Sequence, residues 1–231
     1  MSYNTKKVSI VIPAAGMGKR MNKDINKQYI ELKGKAILAW TIERFDNNKY
    51  VDEIIIVAKE DEIDFCKENI IKKYKFKKVK DVVAGGNERR DSVFNGLKKV
   101  SENTGIVLIH DGARPFVTDE IINDAIKEAL QNNAIVVGVP VKDTIKKVKE
   151  DNTIVSTPNR KGLWAVQTPQ GFSYELILNC YNRGIEEDIE VTDDSMLVEY
   201  YGHSVKMIIG SYKNIKITTP EDVIIGEAFI K

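Results

Sequence analysis

Short β-branched runs alternate along this chain with stretches of helical length, and that order leaves few folds open. The runs are VSIVI (8–12), EIIIVA (53–58), KVKDVV (78–83), GIVLIH (105–110) and AIVVGVPV (134–141). Between them lie AILAWTIERF (36–45), EDEIDFCKENIIKKY (60–74), ERRDSVFNGLKKV (88–100) and TDEIINDAIKEALQNN (118–133). Near-continuous apolar strands separated by amphipathic helices predict an α/β fold, with a mainly parallel sheet covered by helices on both faces. Thr118 is a good N-cap for the last of these helices. Ile121 stands where a full capping box needs Glu or Gln, so only the simple cap is expected.

The alternation breaks at 142–160, KDTIKKVKEDNTIVSTPNR, where Ile145, Val148, Ile154 and Val155 flank a polar tip at 150–152. This reads as a β-hairpin leaving the sheet, either a surface excursion or an arm that grips a second subunit. Beyond it, FSYELILNCYNRG (172–184) and TDDSMLVEYYG (192–202) read as helices, the second capped by Thr192. SVKMIIG (204–210) returns to strand character, NIKIT (214–218) reads as a short strand, and a closing helix runs over 219–231 with Pro220 in its first turn. No repeat, low-complexity tract or linker divides the chain, so one domain over 1–231 with an arm at about 142–160 is expected.

A formal net charge of +1 gives no general attraction to nucleic acid or to a membrane surface, so any anion must be held by a local cluster. The run from Val8 to Ile12 behind Lys6 and Lys7 is too short for a secretory signal, and no segment has the length of a membrane span. Cys66 and Cys180 have neither metal-site nor redox spacing and suit a reducing compartment. A cytoplasmic protein is expected.

Three clusters carry chemistry, and all three fall where loops should leave the carboxyl ends of strands, the ligand side of such sheets. The first is PAAGMGKRM (13–21) with KQY (27–29). It is neither a Walker loop nor a dinucleotide fingerprint, because Pro13, Arg20 and Met21 stand at the wrong places. Glycines at 16 and 18 with Lys19, Arg20 and Lys27 still bring backbone N–H groups and several cations to one point, which suits a triphosphate. The second is HDGARP (110–115). Asp111 beside Gly112 suits a divalent cation bridging phosphate oxygens, and Arg114 can fork onto phosphate or a carboxylate. His110 alternates away from Asp111 and reads as a core or supporting histidine, not a base. His203 reads as surface or structural. The third is AGGNERRDS (84–92), where Gly86, Asn87 and Ser92 can read the edge of a base. The competing reading makes Asn87 a helix N-cap, with Arg89 and Arg90 split between an inward and a solvated position.

Taken together, these motifs with PVKDTIK, NRKGLWAVQTPQGF and NIKITTPEDV resemble the 2-C-methyl-D-erythritol 4-phosphate cytidylyltransferase family from Val8 to about Ala228. The resemblance implies a Rossmann-like nucleotidyltransferase fold whose protruding hairpin arm forms a homodimer. It implies a reaction of CTP with a phosphorylated polyol, 2-C-methyl-D-erythritol 4-phosphate, that releases pyrophosphate with the help of Mg²⁺ or another divalent cation. By the same resemblance Arg20 and Lys27 stabilise the transition state. Ala14, Ala15, Gly16, Gly18, Gly86, Asn87, Ser92 and Gly112 bind CTP, and Asp111 holds the metal. Arg160 and Lys216 position the second substrate, with Arg114, Thr144 and Thr192 around it, some of them across the dimer. Two positions depart from the pattern: Lys213 stands where members often carry an acid, and Asn87 replaces an aspartate of some relatives. The nearest alternative is ribitol-5-phosphate cytidylyltransferase, and a more distant one is a non-catalytic nucleotide-binding module.

Overall fold

The structure, a computed structural model, describes residues 6–16 and 26–230. Strand β1 (Lys7–Pro13) is followed by a 3₁₀ turn at Lys27–Tyr29, a two-residue ribbon of β2 (Glu31–Leu32) and β3 (Lys35–Ala36), and helix α1 (Ile37–Asp46). Then come β4 (Glu53–Ala58), a helical stretch that includes α2 (Ile63–Phe65) and a π-helical segment at Cys66–Lys72, and β5 (Val79–Ala84). Helix α3 (Arg89–Leu97), β6 (Thr104–Ile109), α4 (Asp119–Asn132) and β7 (Ala134–Pro140) complete the expected alternation. The hairpin pairs β8 (Lys147–Val148) with β9 (Ile154–Ser156), and the chain closes with β10 (Trp164–Ser173), α5 (Tyr174–Glu186), α6 (Asp194–Tyr200), β11 (Lys206–Ile209) and α7 (Pro220–Phe229).

Seven strands form one sheet in the order β11-β7-β10-β6-β1-β4-β5. All neighbours run parallel except β10, which lies antiparallel between β6 and β7. The two-residue period of a strand divides the core in two. Ile10, Ile12, Ile54 and Ile56 face one layer with Leu38, Ile42 and Phe45 of α1 and Ile121 and Ile122 of α4. Val11, Ile55, Val57 and Val107 face the other, with Val93 and Leu97 of α3 and Ile177 and Tyr181 of α5. Burial on both faces is why these strands lack polar alternation.

Two expectations need correcting, and one strand was not expected at all. The NIKIT segment is not a strand: it is held by single contacts, Ile217 N–H to the Ala113 carbonyl at 2.8 Å and the buried Asn214 side chain to the Thr168 carbonyl at 2.9 Å. Strand β10 had no strand signature, because Gln167, Thr168 and Gln170 bracket a proline; its register on β7 shifts between Val166 and Gln170 and so accommodates a residue without an N–H. Helix α6 is capped by Asp193, whose carboxylate accepts from the Met196 N–H, and not by Thr192. Thr118 caps α4 as expected, accepting from the Ile121 N–H.

At the amino ends of the strands, Ser9 interrupts an apolar strand because it serves a buried carboxylate. Its hydroxyl donates to Glu53 at 2.8 Å, while the backbone N–H and hydroxyl of Ser101 reach the same group at 2.7 and 2.5 Å. Burial alone would raise the Glu53 pKa, but those bonds and nearby Lys80 outweigh it and hold the group below its ordinary value. Glu53→Gln should therefore lower stability by about 1–3 kcal/mol at pH 7, measured by urea unfolding. Because the folded group titrates below its unfolded value near 4.5, its contribution is complete above that pH and fades as the pH falls further, so variant and wild type should converge in acid.

Candidate active site

Three chain segments leave the sheet side by side and build a cleft. Beyond β1, the Ala14 N–H donates to Val57 at 2.7 Å, and the Ala14 carbonyl accepts from the Gln28 side-chain amide. Beyond β5, the Gly85 N–H reaches the Ala58 carbonyl at 2.8 Å; beyond β6, the His110 and Gly112 N–H groups reach Val11 and Pro13 at 2.9 and 3.2 Å. These bonds carry the sheet pattern slightly past its strands, so each loop starts from a fixed point. Gln28 is buried and Asn26 donates twice to Glu62, at 2.7 and 2.9 Å, which fixes the short turn carrying Lys27.

A cavity of about 380 Å³ opens between the loops. It gathers Ala14, Ala15, Gly16, Lys27, Gly86, Asn87, Ser92, Asp111, Gly112 and Lys216, ten of the residues singled out from sequence. Gly18 and Arg20 lie outside the described residues. A second cavity of about 280 Å³ holds Arg114 and Thr192 with Gln167, Thr168, Gln170 and Asp193. Arg89, Asp111 and Lys216 line both, and so form the partition.

Asp111 is the centre of that partition. Lys216 Nζ stands 2.9 Å from its carboxylate, Arg114 Nε 3.3 Å and Arg89 Nε 3.9 Å, and its N–H donates to the Thr168 hydroxyl at 3.1 Å. Burial would raise its pKa; Lys216, then Arg89 and Arg114, overcome that and hold it well below the usual carboxylate range. Arg114 is further engaged by the Asn214 carbonyl at 2.8 Å. His110 is buried, with Nε2 3.0 Å from the Arg114 carbonyl and Nδ1 3.1 Å from the Thr168 hydroxyl. Burial pushes its pKa down to about 4, so it is neutral at pH 7 and acts as a strut, as its place in the sequence suggested.

The third cluster lines the cavity with Gly86, Asn87 and Ser92, but Asn87 is not the N-cap of α3. Glu88 is the N-cap of α3, its N–H bonded to Asp91 at 3.2 Å, and Asn87 instead lies exposed on the cavity wall. The Ser92 hydroxyl accepts from the Gly86 N–H at 3.1 Å and donates to the Glu88 carbonyl at 3.0 Å, so it shapes the turn as well as lining the cavity. Both arginines are paired and only partly exposed. Arg89 forks onto Asp194 at 2.8 and 2.6 Å, and Arg90 reaches the Ile189 carbonyl at 2.7 Å and Asp188 at 2.9 Å. Arg89, Gln167, Thr168 and Gln170 went unassigned in the sequence; the signal for the last three was a polar cluster within an otherwise apolar stretch.

Thr144 and Arg160 stand on the exposed arm, with Arg160 bonded to the Lys142 carbonyl, and line neither cavity of their own chain. His203 is exposed, and both cysteines are free and buried.

Residues 8–231 match the family described as IspD, 2-C-methyl-D-erythritol 4-phosphate cytidylyltransferase. The enzyme of that name from Clostridioides difficile (strain 630) is 56% identical over 222 residues, covering 96% of this chain and 93% of its own. The chain belongs to this family. The crystal structure of 4-diphosphocytidyl-2C-methyl-D-erythritol synthase from Anaerococcus prevotii DSM 20548 superposes with a TM-score of 0.86 at 37% identity, covering 97% of this chain and 96% of that one. The cytidylyltransferase of Francisella tularensis superposes at 0.82 with 30% identity, covering 96% and 99%.

As a cytidylyltransferase of this family, the chain offers few metal donors. Among the described residues no three His, Cys, Asp or Glu side chains converge on one point, and Lys213 is exposed near the Phe229 ring instead of facing Asp111. One carboxylate nevertheless fits Mg²⁺, which is commonly held by one or two carboxylates together with substrate phosphates.

Gly86 tests how closely this wall is built. A Cβ there would lie 2.3 Å from Cβ of Asp91, so the start of α3 would have to move. Gly86→Ala should weaken CTP binding tenfold or more by calorimetry, while far-UV circular dichroism stays that of the wild type.

Proposed function

We propose that the two-lobed cleft carries out the family reaction with CTP in the larger cavity and 2-C-methyl-D-erythritol 4-phosphate in the smaller one. A phosphate oxygen of the polyol attacks the α-phosphorus of CTP, the bond from that phosphorus to the β-phosphate bridge breaks, and pyrophosphate leaves. The product is 4-diphosphocytidyl-2-C-methyl-D-erythritol. The observation that carries this reading is the shared partition: Arg89, Asp111 and Lys216 border both cavities, at the point where the two phosphate groups must meet.

The attacking group is a phosphate monoester whose second pKa is about 6, so it is mostly dianionic at pH 7 and needs no base. The work of the site is to let two anions approach. Lys27 and Lys216 border the larger cavity, Lys216 and Arg114 the smaller, and Arg20 would join them from the glycine-rich loop. Fixed cations that meet charge as it develops are worth a few kcal/mol each in such a site (roughly 3–4 for one well-placed donor). Among the described residues nothing lies within 4 Å of where a Cβ on Gly16 would sit, which leaves room for a phosphate to approach the backbone, and Gly18 is read as part of the same cradle. A divalent cation held by Asp111 and the phosphate oxygens would supply further neutralisation.

The arm is read as the dimer contact. Val148, Ile154 and Val155 are 48%, 57% and 51% exposed, an apolar surface that a second copy would cover. Arg160 and Thr144 would then serve the partner's smaller cavity. The whole chain is read as one catalytic unit with that arm, working in the cytoplasm; no described helix is long and apolar enough to cross a membrane.

Two outcomes check the division of labour. Lys27→Ala should leave CTP binding measurable by calorimetry and lower kcat at least 100-fold; a kcat near wild type would remove Lys27 from the chemistry. Arg160→Ala should raise KM for the polyol phosphate tenfold or more with little change for CTP, and mixing it with Lys27→Ala should restore part of the activity through hybrid dimers. Pyrophosphate release measured with ribitol 5-phosphate in place of methylerythritol phosphate distinguishes the two polyols.

A further inference from the structure

One buried polar assembly has no part in the reaction as drawn above. The Asp194 carboxylate, fully buried, accepts from Arg89 NH1 and NH2 at 2.8 and 2.6 Å and from the Tyr181 hydroxyl at 2.6 Å. Tyr181 is itself fully buried and stacks on Phe94 of α3 with ring centroids 6.0 Å apart. Neither Asp194 nor Tyr181 lines either of the two cavities. Stability is weak ground for the group, because the cost of taking the Asp194 carboxylate out of water offsets much of its attraction to Arg89.

What the assembly does is fix Arg89. Two of its nitrogens are tied to Asp194, and the remaining edge, Nε, lies 3.9 Å from Asp111 Oδ1. Arg89 comes from α3, one turn from the Gly86–Asn87 wall of the larger cavity, whereas Asp194 opens α6, next to Thr192 and Asp193 of the smaller one. The bidentate bond therefore ties the two lobes together at the partition. Lys216, by contrast, reaches Asp111 with a single ammonium on a flexible stem, and among the described residues it pairs with no second carboxylate.

Resting on the two-lobed reading of the cleft, we propose that Arg89 is a positioning residue: locked onto Asp194, it presents a fixed positive edge to Asp111 and sets where that carboxylate stands between the two substrates. Asp194 and Tyr181 act through Arg89 alone. A lysine at 89 would keep the charge and lose the fork, which makes the conservative change informative.

The test compares Arg89→Lys, Tyr181→Phe and the double variant with the wild type, by steady-state pyrophosphate release and by calorimetric titration of CTP. Arg89→Lys should lower kcat tenfold or more, with KM for both substrates and Kd for CTP within threefold of wild type. Tyr181→Phe should show the same split at threefold or more. The double variant should be no slower than Arg89→Lys, because lysine no longer uses the anchor that Tyr181 supports. A smaller fall in kcat, a loss carried by CTP affinity, or losses that multiply in the double variant would each overturn the proposal. If Arg89→Lys does not fold, Tyr181→Phe decides alone, and an unchanged kcat overturns it. Failure of the wild type to release pyrophosphate from CTP and the polyol phosphate would overturn the reaction instead, before any variant is compared.

Discussion

A single buried carboxylate, Asp111, organises the working end of this molecule. An isolated charge at that depth would be neutralised by protonation. Three cations prevent it, and each comes from a different part of the chain: Arg114 from its own loop, Arg89 from α3, and Lys216 from the segment before α7. The carboxylate thus gathers three distant pieces of sequence at one point. Its charge offsets the repulsion among those cations, of which Arg89 is also held by Asp194 and Arg114 by the Asn214 carbonyl.

The remaining architecture serves that convergence. Parallel strands deliver the loops after β1, β5 and β6 to the same edge, and backbone bonds past the strand ends fix where each loop begins. Strand β10 then runs the opposite way through the middle of the sheet and brings Gln167, Thr168 and Gln170 to the floor of the smaller cavity. Thr168 supports Asp111 and His110 from below, and Asn214 binds the Thr168 carbonyl, so the segment that bears Lys216 is hung from the same strand.

A chain of net charge +1 can therefore gather Lys27, Arg89, Arg114 and Lys216 around one cleft without being a basic protein. That concentration of cations is local to the ends of three strands and the segment before α7. His110 lies beside Asp111 in sequence, yet burial keeps its ring neutral at pH 7 and both of its nitrogens are occupied.

Much of this was legible in the linear order of residues. The apolar runs and the helices between them gave the sheet its parallel character, because a strand buried on both faces must be apolar throughout and helix periodicity is local. The loops that hold Gly16, Lys27, Gly86, Asp111 and Gly112 were legible for the same reason: each follows directly on a strand. What the sequence could not state was pairing between distant residues. The fork of Arg89 onto Asp194, the closure of Lys216 on Asp111 and the antiparallel insertion of β10 join positions 105, 105 and about 60 residues apart, and none leaves a periodic trace. Local composition determined the elements and the chemistry each loop could offer. Only the tertiary structure decided which charges would meet, because burial and neutralisation are properties of a place in space and not of a stretch of chain.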